Sequence, residues 1–324
     1  MGSRPRPAWV GLLLAAPFVL GIASASGTPA DRVFTFRDPA IVEASALVVE
    51  DGLFLTTNDS GDSGRVFAVA PDGRTVGVTH WSTDPTDCEA LAPAGPGEVW
   101  VGDIGDNLAE RSTVSITRVP VGRGERTVQP TTYRLAYPDG AHDAETLLRN
   151  PVSGRLYLAT KGLFGGEVYA VPAQLSATAV NHLHKVGQVL PVATDGSFFP
   201  DGRHLVVRDY TSATVYDWPS LREVASFPLP AQRQGEGIAV AADGSVYVSS
   251  EGARAPVLRV SLPHDVRRAV APAGPSPSPS PGSSATSTPG SESSDATRSA
   301  WPWAVGGLVT LGALLVLVRA LRPR

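Results

Sequence analysis

The 324-residue sequence predicts an all-β protein: a five-bladed β-propeller followed by one C-terminal transmembrane helix. The first observation is a recurring phrase in which an acidic residue precedes Ala, Gly or Thr and then Leu or Ile. It reads Asp87-Cys88-Glu89-Ala90-Leu91, Asp143-Ala144-Glu145-Thr146-Leu147 and Gln234-Gly235-Glu236-Gly237-Ile238, with a looser copy at Val42-Glu43-Ala44-Ser45-Ala46-Leu47. The second is that each copy leads into a Gly-containing turn and a strand-like run such as Val99-Trp100-Val101 or Val246-Tyr247-Val248-Ser249. Repeats of about forty to fifty-five residues built from short strands are the mark of a propeller. The third is the apolar, uncharged stretch from Trp301 to Val318, about the minimum length that crosses a bilayer.

The N-terminus, residues 1–25, reads as a secretory signal. Arg4 and Arg6 form the basic start, Ala8 to Ile22 is apolar, and Ala23-Ser24-Ala25 offers small residues for cleavage. The propeller is expected over residues 32–265. Its first repeat runs from about Glu43 to His80, with strands at Ser45–Val49, Leu53–Thr57, Arg65–Val69 and Thr75–Thr79 and a turn at Pro71-Asp72-Gly73-Arg74. The others start near Asp87, Asp143, Thr194 and Gln234, with turns marked by Asn150-Pro151, Pro200-Asp201-Gly202-Arg203 and Asp243-Gly244.

The last repeat shows three strands rather than the four that a blade needs. The orphan run Arg32-Val33-Phe34-Thr35-Phe36 fills the missing outer position and closes the ring, which removes exposed sheet edges. Five blades is the direct count. A sixth requires extra strands between Arg111 and Asp139.

Residues 271–300 are rich in Pro, Ser, Thr and Gly and lack the apolar surface that offsets ordering entropy, so they read as an extended spacer. The span covers 301–318, with Trp301 and Trp303 at its outer edge, and a basic tail, 319–324, carries Arg319, Arg322 and Arg324. Basic residues stay on the cytoplasmic side, which places the propeller outside the cell as a monomeric ectodomain held by its C-terminal helix. The single cysteine, Cys88, excludes an intramolecular disulfide and reads as a buried small side chain. A formal net charge of -4 argues against nucleic acid as a partner and leaves an extracellular small molecule, glycan or protein as the ligand class.

In a propeller the innermost strand begins, and the second strand ends, on the same face. That face collects Glu43, Asp59, Asp62, Asp87, Glu89, Asp103, Asp106, Asp143, Glu145, Asp209, Glu236 and Glu251 against Lys161, Arg208, Arg233 and Arg254. Carboxylates this crowded stay ionised together only when a cation or hydrogen-bond donors neutralise them. Outside a cell calcium is the simplest ion, taking six to eight oxygens. The candidate ligands are Glu43, Asp59, Asp62, Glu89, Asp103, Asp106, Glu145 and Glu236. A second reading stays open beside it. Asp and Asn are ordinary turn residues, and inner-strand Glu can bond a neighbouring blade as a staple. If the site is catalytic, Glu145, Glu89 and His142, next to Asp143, are the candidate proton carriers for a metal-dependent phosphoesterase or lactonase.

The phrase Glu236-Gly237-Ile238, its relatives at Glu89 and Glu145, and the run from Ala242 to Glu251 resemble the phytase-like, esterase-like propellers. They are also similar to the gluconolactonase and regucalcin type. That resemblance implies a divalent metal held in part by an early inner-strand glutamate, which in this chain is Glu43.

Overall fold

The computed structural model describes residues 28–59 and 61–271, all within the first of two compact units of the chain. The expected signal peptide, transmembrane helix and basic tail, and the expected linker apart from Ala271, lie outside the described residues. Among the described residues no helix is long and apolar enough to cross a membrane.

The chain begins with β1 (Ala30–Thr35) and then forms β2 (Val48–Glu50), β3 (Leu53–Thr56), β4 (Arg65–Val69) and β5 (Thr75–Trp81), an antiparallel meander that is blade 1. Blade 2 has β6 (Cys88–Gly95), β7 (Glu98–Asp103) and β8 (Val114–Pro120). Next come β9 (Gly124–Val128) and β10 (Thr132–Ala136). Blade 3 comprises β11 (Ala144–Arg149), β12 (Leu156–Thr160), β13 (Gly166–Ala170) and β15 (His184–Val189), with the short β14 (Asn181–His182) intervening. Blade 4 is β16 (Asp195–Phe198), β17 (His204–Arg208), β18 (Ser212–Asp217) and β19 (Arg222–Pro228). Blade 5 has β20 (Gly235–Val240), β21 (Val246–Ser250) and β22 (Pro256–Val260), and the described chain ends in the short helix α1 (His264–Ala269).

Five sheets make five blades, and β1 closes the ring by pairing antiparallel with β22, Ala30 opposite Val260 and Thr35 opposite Pro256. The orphan N-terminal strand therefore takes the outer position expected of it. The stretch from Arg111 to Asp139 does hold extra strands, but they extend existing blades instead of building a sixth. β9 pairs parallel to the outer edge of blade 1, and β10 completes blade 2 with β14 parallel beside it. Two edges that would otherwise stand open are covered this way.

Side chains that alternate along each strand fill the spaces between blades. Five apolar clusters occupy the five interfaces. Leu55 and Val66 of blade 1 meet Leu91 and Val101 of blade 2. Ile116 meets Leu158 and Tyr169 between blades 2 and 3, and Tyr157 meets Phe198 between blades 3 and 4. Phe227 meets Ile238 between blades 4 and 5, and Phe34 of β1 joins Phe54 and Phe67 where blade 5 returns to blade 1. Each interface is a small core of its own, so the ring holds only when all five are made. Cys88 is buried in the first of them, with its thiol 3.6 Å from the Thr57 hydroxyl, and burial pushes that thiol well above its usual range.

Candidate cation site at the channel mouth

The innermost strands of the blades face the axis. Aligned on the repeated phrase, one position of each lies near the mouth: Ser45, Glu89, Glu145, Asp195 and Glu236. The ladder explains how most of these side chains turn inward. Cys88 pairs with Asp103 and Ala90 with Gly102, which leaves Glu89 as an extra residue without an opposite. Ala144 pairs with Thr160 and Thr146 with Ala159, so Glu145 is likewise extra. In blade 5, Glu236 and Gly237 together face Ser249, and in blade 1 residues 45–47 face Thr56 and Thr57. A β-bulge redirects a side chain and bends its strand, and here it does so in four blades at the same level. The innermost pair of blade 4 has no bulge; Asp195 pairs in register with Arg208.

These side chains are buried. Glu89, Glu145 and Glu236 are each no more than 5% exposed, and Asp195 is fully enclosed. The Ser45 hydroxyl donates to Glu89 Oε2 at 2.7 Å and ties blade 1 to blade 2. Asp195 Oδ2 accepts from the amides of Ile238, at 2.8 Å, and Leu47, at 3.4 Å, and so staples blade 4 to its neighbour and to blade 1 across the axis. Arg208 is fully buried between blades 4 and 5. Its guanidinium donates to the carbonyls of Asp209, Gly237 and Ser249 at 3.0, 3.0 and 3.3 Å and to Gln232 Oε1 at 3.1 Å.

Asp59, Asp87, Asp143 and Glu251 join this ring, close enough for their charges to act on it. Asp59, Asp87 and Glu89 each place a carboxylate oxygen within 4.8 Å of the other two. Asp87 and Asp59 share a hydrogen bond. Gly105 is what permits the approach, because a Cβ there would collide with the Asp87 carboxylate.

The electrostatics follow from burial in a set of like charges. Burial first, then the charges of Glu145 and Asp59, push the Glu89 carboxyl up to about 9. Burial and Glu251 raise Glu236 to about 8. Burial, Asp59 and Glu43 raise Glu251 to about 7, and burial and Asp59 raise Asp87 to about 6. Basic side chains offset part of this charge. Lys161 is ion-paired with Glu145; burial opposes its charge, but the carboxylate outweighs burial and raises it. Arg111 pairs with Asp103 at 3.0 Å and donates to the Gly105 carbonyl at 2.7 Å. Glu145 Oε2 remains buried without a hydrogen-bond partner.

Of the residues expected from sequence, the structure brings Asp59 and Glu89 together and places Glu145 and Glu236 in the same ring. Ser45 holds the equivalent position in blade 1, while Glu43 lies two residues upstream, exposed but close enough for its charge to act on Glu251. The turn aspartates have local partners. Asp62 accepts from Arg65 at 2.7 and 2.8 Å and from the Asn58 amide at 2.7 Å, which hold its carboxyl below the usual range against the effect of burial. Asp103 accepts from the Asp87 amide at 2.9 Å, and Asp106 accepts from the amides of Glu110 and Arg111 at 3.0 and 2.8 Å. His142 lies in a different cluster, bonded to Asp139 at 2.9 Å. Asp195 and Ser45 were not singled out from sequence. The phrase Thr194-Asp195-Gly196-Ser197 matches the others except for Ser197 where they carry Leu or Ile, and that one position hid it.

No protein-family model matches the chain, and no curated protein matches it. Solved structures similar to it include a glucose dehydrogenase at 11% identity, with TM-score 0.45, 72% of this chain and 100% of that chain covered. The soluble aldose sugar dehydrogenase from Escherichia coli aligns at 12% identity and TM-score 0.43, over 72% of this chain and 99% of that one. A gluconolactonase from Xanthomonas campestris aligns at 12% identity and TM-score 0.43, over 73% and 98%. The structural neighbours are sugar-dehydrogenase- and gluconolactonase-type propellers, and the likeness is one of fold.

Proposed function

We propose that this is an exported propeller, anchored by its C-terminal helix, whose channel mouth holds a hard divalent cation and presents it to an extracellular ligand. The observation that carries the reading is the trio Asp59, Asp87 and Glu89, three carboxylates from two blades within 4.8 Å of one another. Arg111, whose charge reaches Asp87, is itself paired with Asp103. An all-oxygen donor set of this kind suits calcium, which accepts irregular geometry and completes its shell with carbonyls and water. The ligand surface is the loop face around the mouth. Leu108, Leu163 and Phe164 lie there, in the β7–β8 and β12–β13 loops, at 77%, 77% and 103% exposure. Apolar tips beside a charged centre are the ordinary makings of a recognition surface. Chelator added to the calcium-loaded full-length protein should lower its melting temperature by about 5–10 °C, the size expected for losing an ion held near 100-fold above its Kd. An unchanged melting temperature overturns the reading.

A second reading, hydrolysis of a phosphoester or lactone, is favoured by one observation. Beside the trio, Lys161 and Glu145 form an ion pair under the Tyr210 ring, 5.4 Å from the lysine nitrogen to the centroid. A bound cation would supply Lewis acidity towards a substrate oxygen; the Glu145 carboxylate takes a proton from the attacking water and returns it to the departing alkoxide, and Lys161 fixes its orientation. On this reading Glu145→Gln lowers turnover of a generic aryl phosphate or aryl ester lactone mimic by about 10²–10⁴-fold with the fold retained. Absence of any turnover in the calcium-loaded wild type leaves the binding reading standing alone.

A further inference from the structure

Outward from the channel, between blades 2 and 3, a second set of ligand-type side chains stands on its own. Asp139 and His142 come from the connection between β10 and β11, and Glu167 and Tyr169 lie on β13. One ligand atom from each of Asp139, His142 and Glu167 lies within 4.8 Å of the other two. The Tyr169 hydroxyl sits among them, 2.6 Å from Glu167 Oε2, 2.9 Å from Asp139 Oδ2 and 3.1 Å from His142 Nε2. His142 Nε2 is also 2.9 Å from Asp139 Oδ1.

The scaffold behind these atoms is rigid. Tyr169 is fully buried, and its ring packs edge-on to Tyr137 at 4.9 Å between centroids. The His142 ring rests on both tyrosines, at 5.0 and 5.4 Å. The front is open, with 41% of the Asp139 side chain and 25% of the His142 side chain exposed.

The hydrogen-bond inventory of the cluster does not close. A phenol carries one proton, and an ionised carboxylate only accepts. Tyr169 therefore satisfies either Glu167 or Asp139 and presents a lone pair to the other. Lys185 pairs with the far oxygen of Glu167 and holds that carboxyl below its usual range, while bonds from His142 and Tyr169 hold Asp139 low against burial. The one hydroxyl is thus shared among two carboxylates and an imidazole.

The geometry points to a transition-metal site, for zinc, with His142 Nε2, an Asp139 oxygen, Glu167 Oε2 and the Tyr169 oxygen as its four donors. A tetrahedral zinc with bonds of about 2.0–2.1 Å needs donors about 3.3–3.4 Å apart. The four separations of 2.6–3.1 Å need to open by about 0.2–0.8 Å, while a Glu167 ligand atom already lies within 4.8 Å of those of Asp139 and His142. An imidazole with carboxylate and phenolate selects zinc over calcium, in contrast to the all-oxygen trio at the channel mouth. On binding, the ion replaces the Tyr169 proton, which passes to solvent.

The test is zinc titrated into the full-length protein against a chromophoric chelator, with calcium in excess, and cobalt(II) as a spectroscopic probe. One zinc per chain, proton release on binding, and a cobalt spectrum that indicates a nitrogen donor and four-coordination are expected. His142→Ala and Tyr169→Phe should each weaken zinc by about 10-fold or more. Should His142→Ala fail to fold, Asp139→Asn at an exposed position gives the same comparison. Wild-type protein that binds no zinc overturns the proposal. So does a folded variant that keeps wild-type affinity, or zinc that is lost in Glu89→Gln but kept in His142→Ala and Tyr169→Phe.

Discussion

In the absence of divalent cations, raising the pH from about 5 to about 9 is expected to destabilise the propeller steadily. Glu89 and Glu236 are pushed up to about 9 and about 8 from an ordinary value of 4.5. Across that window the folded chain therefore holds protons that the unfolded chain has released. Stability then falls as pH rises, since the unfolded state binds fewer protons. The contribution is complete below the ordinary glutamate value and is lost as pH climbs through the folded values. Each such proton costs about 1.4 kcal/mol per pH unit, or about 3–6 °C of melting temperature for a domain of this size. The paired aspartates Asp62, Asp139 and Asp201, held low by their partners, finish titrating before the window opens. Calcium should reverse the trend, because it favours the deprotonated carboxylates and its affinity rises with pH. Melting curves over this range with and without calcium read both effects. A cation-free melting temperature that is flat or rises towards alkaline pH contradicts the burial of these acids.

Arg208→Met is expected to cost about 3–5 kcal/mol, the usual penalty for removing one partner of a buried charge network. The guanidinium has no exposed surface. It supplies donors to the Gly237 and Ser249 carbonyls in the neighbouring blade, and its charge acts on both Glu236 and Asp195. Burial lowers it only to about 10, so it stays charged at neutral pH. Methionine fills the volume but leaves those carbonyls without their donors and takes a positive charge away from both acids. Denaturant unfolding should show the midpoint shifted with the slope kept, and Arg208→Lys should recover part of the loss because the charge returns without the fork of donors. A change below about 1 kcal/mol would mean that the arginine only fills space. Gly235 belongs to the same device, since a Cβ there would collide with the guanidinium.

The ring was legible in the sequence because its signals are local. The acidic phrase, the Gly-containing turn and the strand run recur in order, and the orphan run at Arg32 to Phe36 had one vacancy to fill. β9 was not legible. Its pairing with β5 is parallel and joins the second repeat back to the edge of the first, a contact that no turn residue announces. For the site, the repeated glutamates Glu89, Glu145 and Glu236 could be found by spacing, since equivalent positions circle one axis. The bulges that turn them inward could not, since an extra residue in a ladder is a property of two strands at once. Glu43 is the acid of the first repeat, yet the register gives the inward position to Ser45, whose hydroxyl serves Glu89. Asp62, Asp103 and Asp106 carry the turn chemistry that their Asp–Gly setting equally implied, with each carboxylate bonded to nearby amides or to an arginine.

Calorimetric titration of calcium into the full-length protein, beside Glu89→Gln and Asp87→Asn, tests the channel-mouth site most directly. One ion per wild-type chain, with proton uptake by the buffer near neutral pH and affinity weakened at least about tenfold in both variants, is the predicted result. A wild-type protein that takes up no calcium, or variants that bind it as tightly as the wild type, would contradict the site.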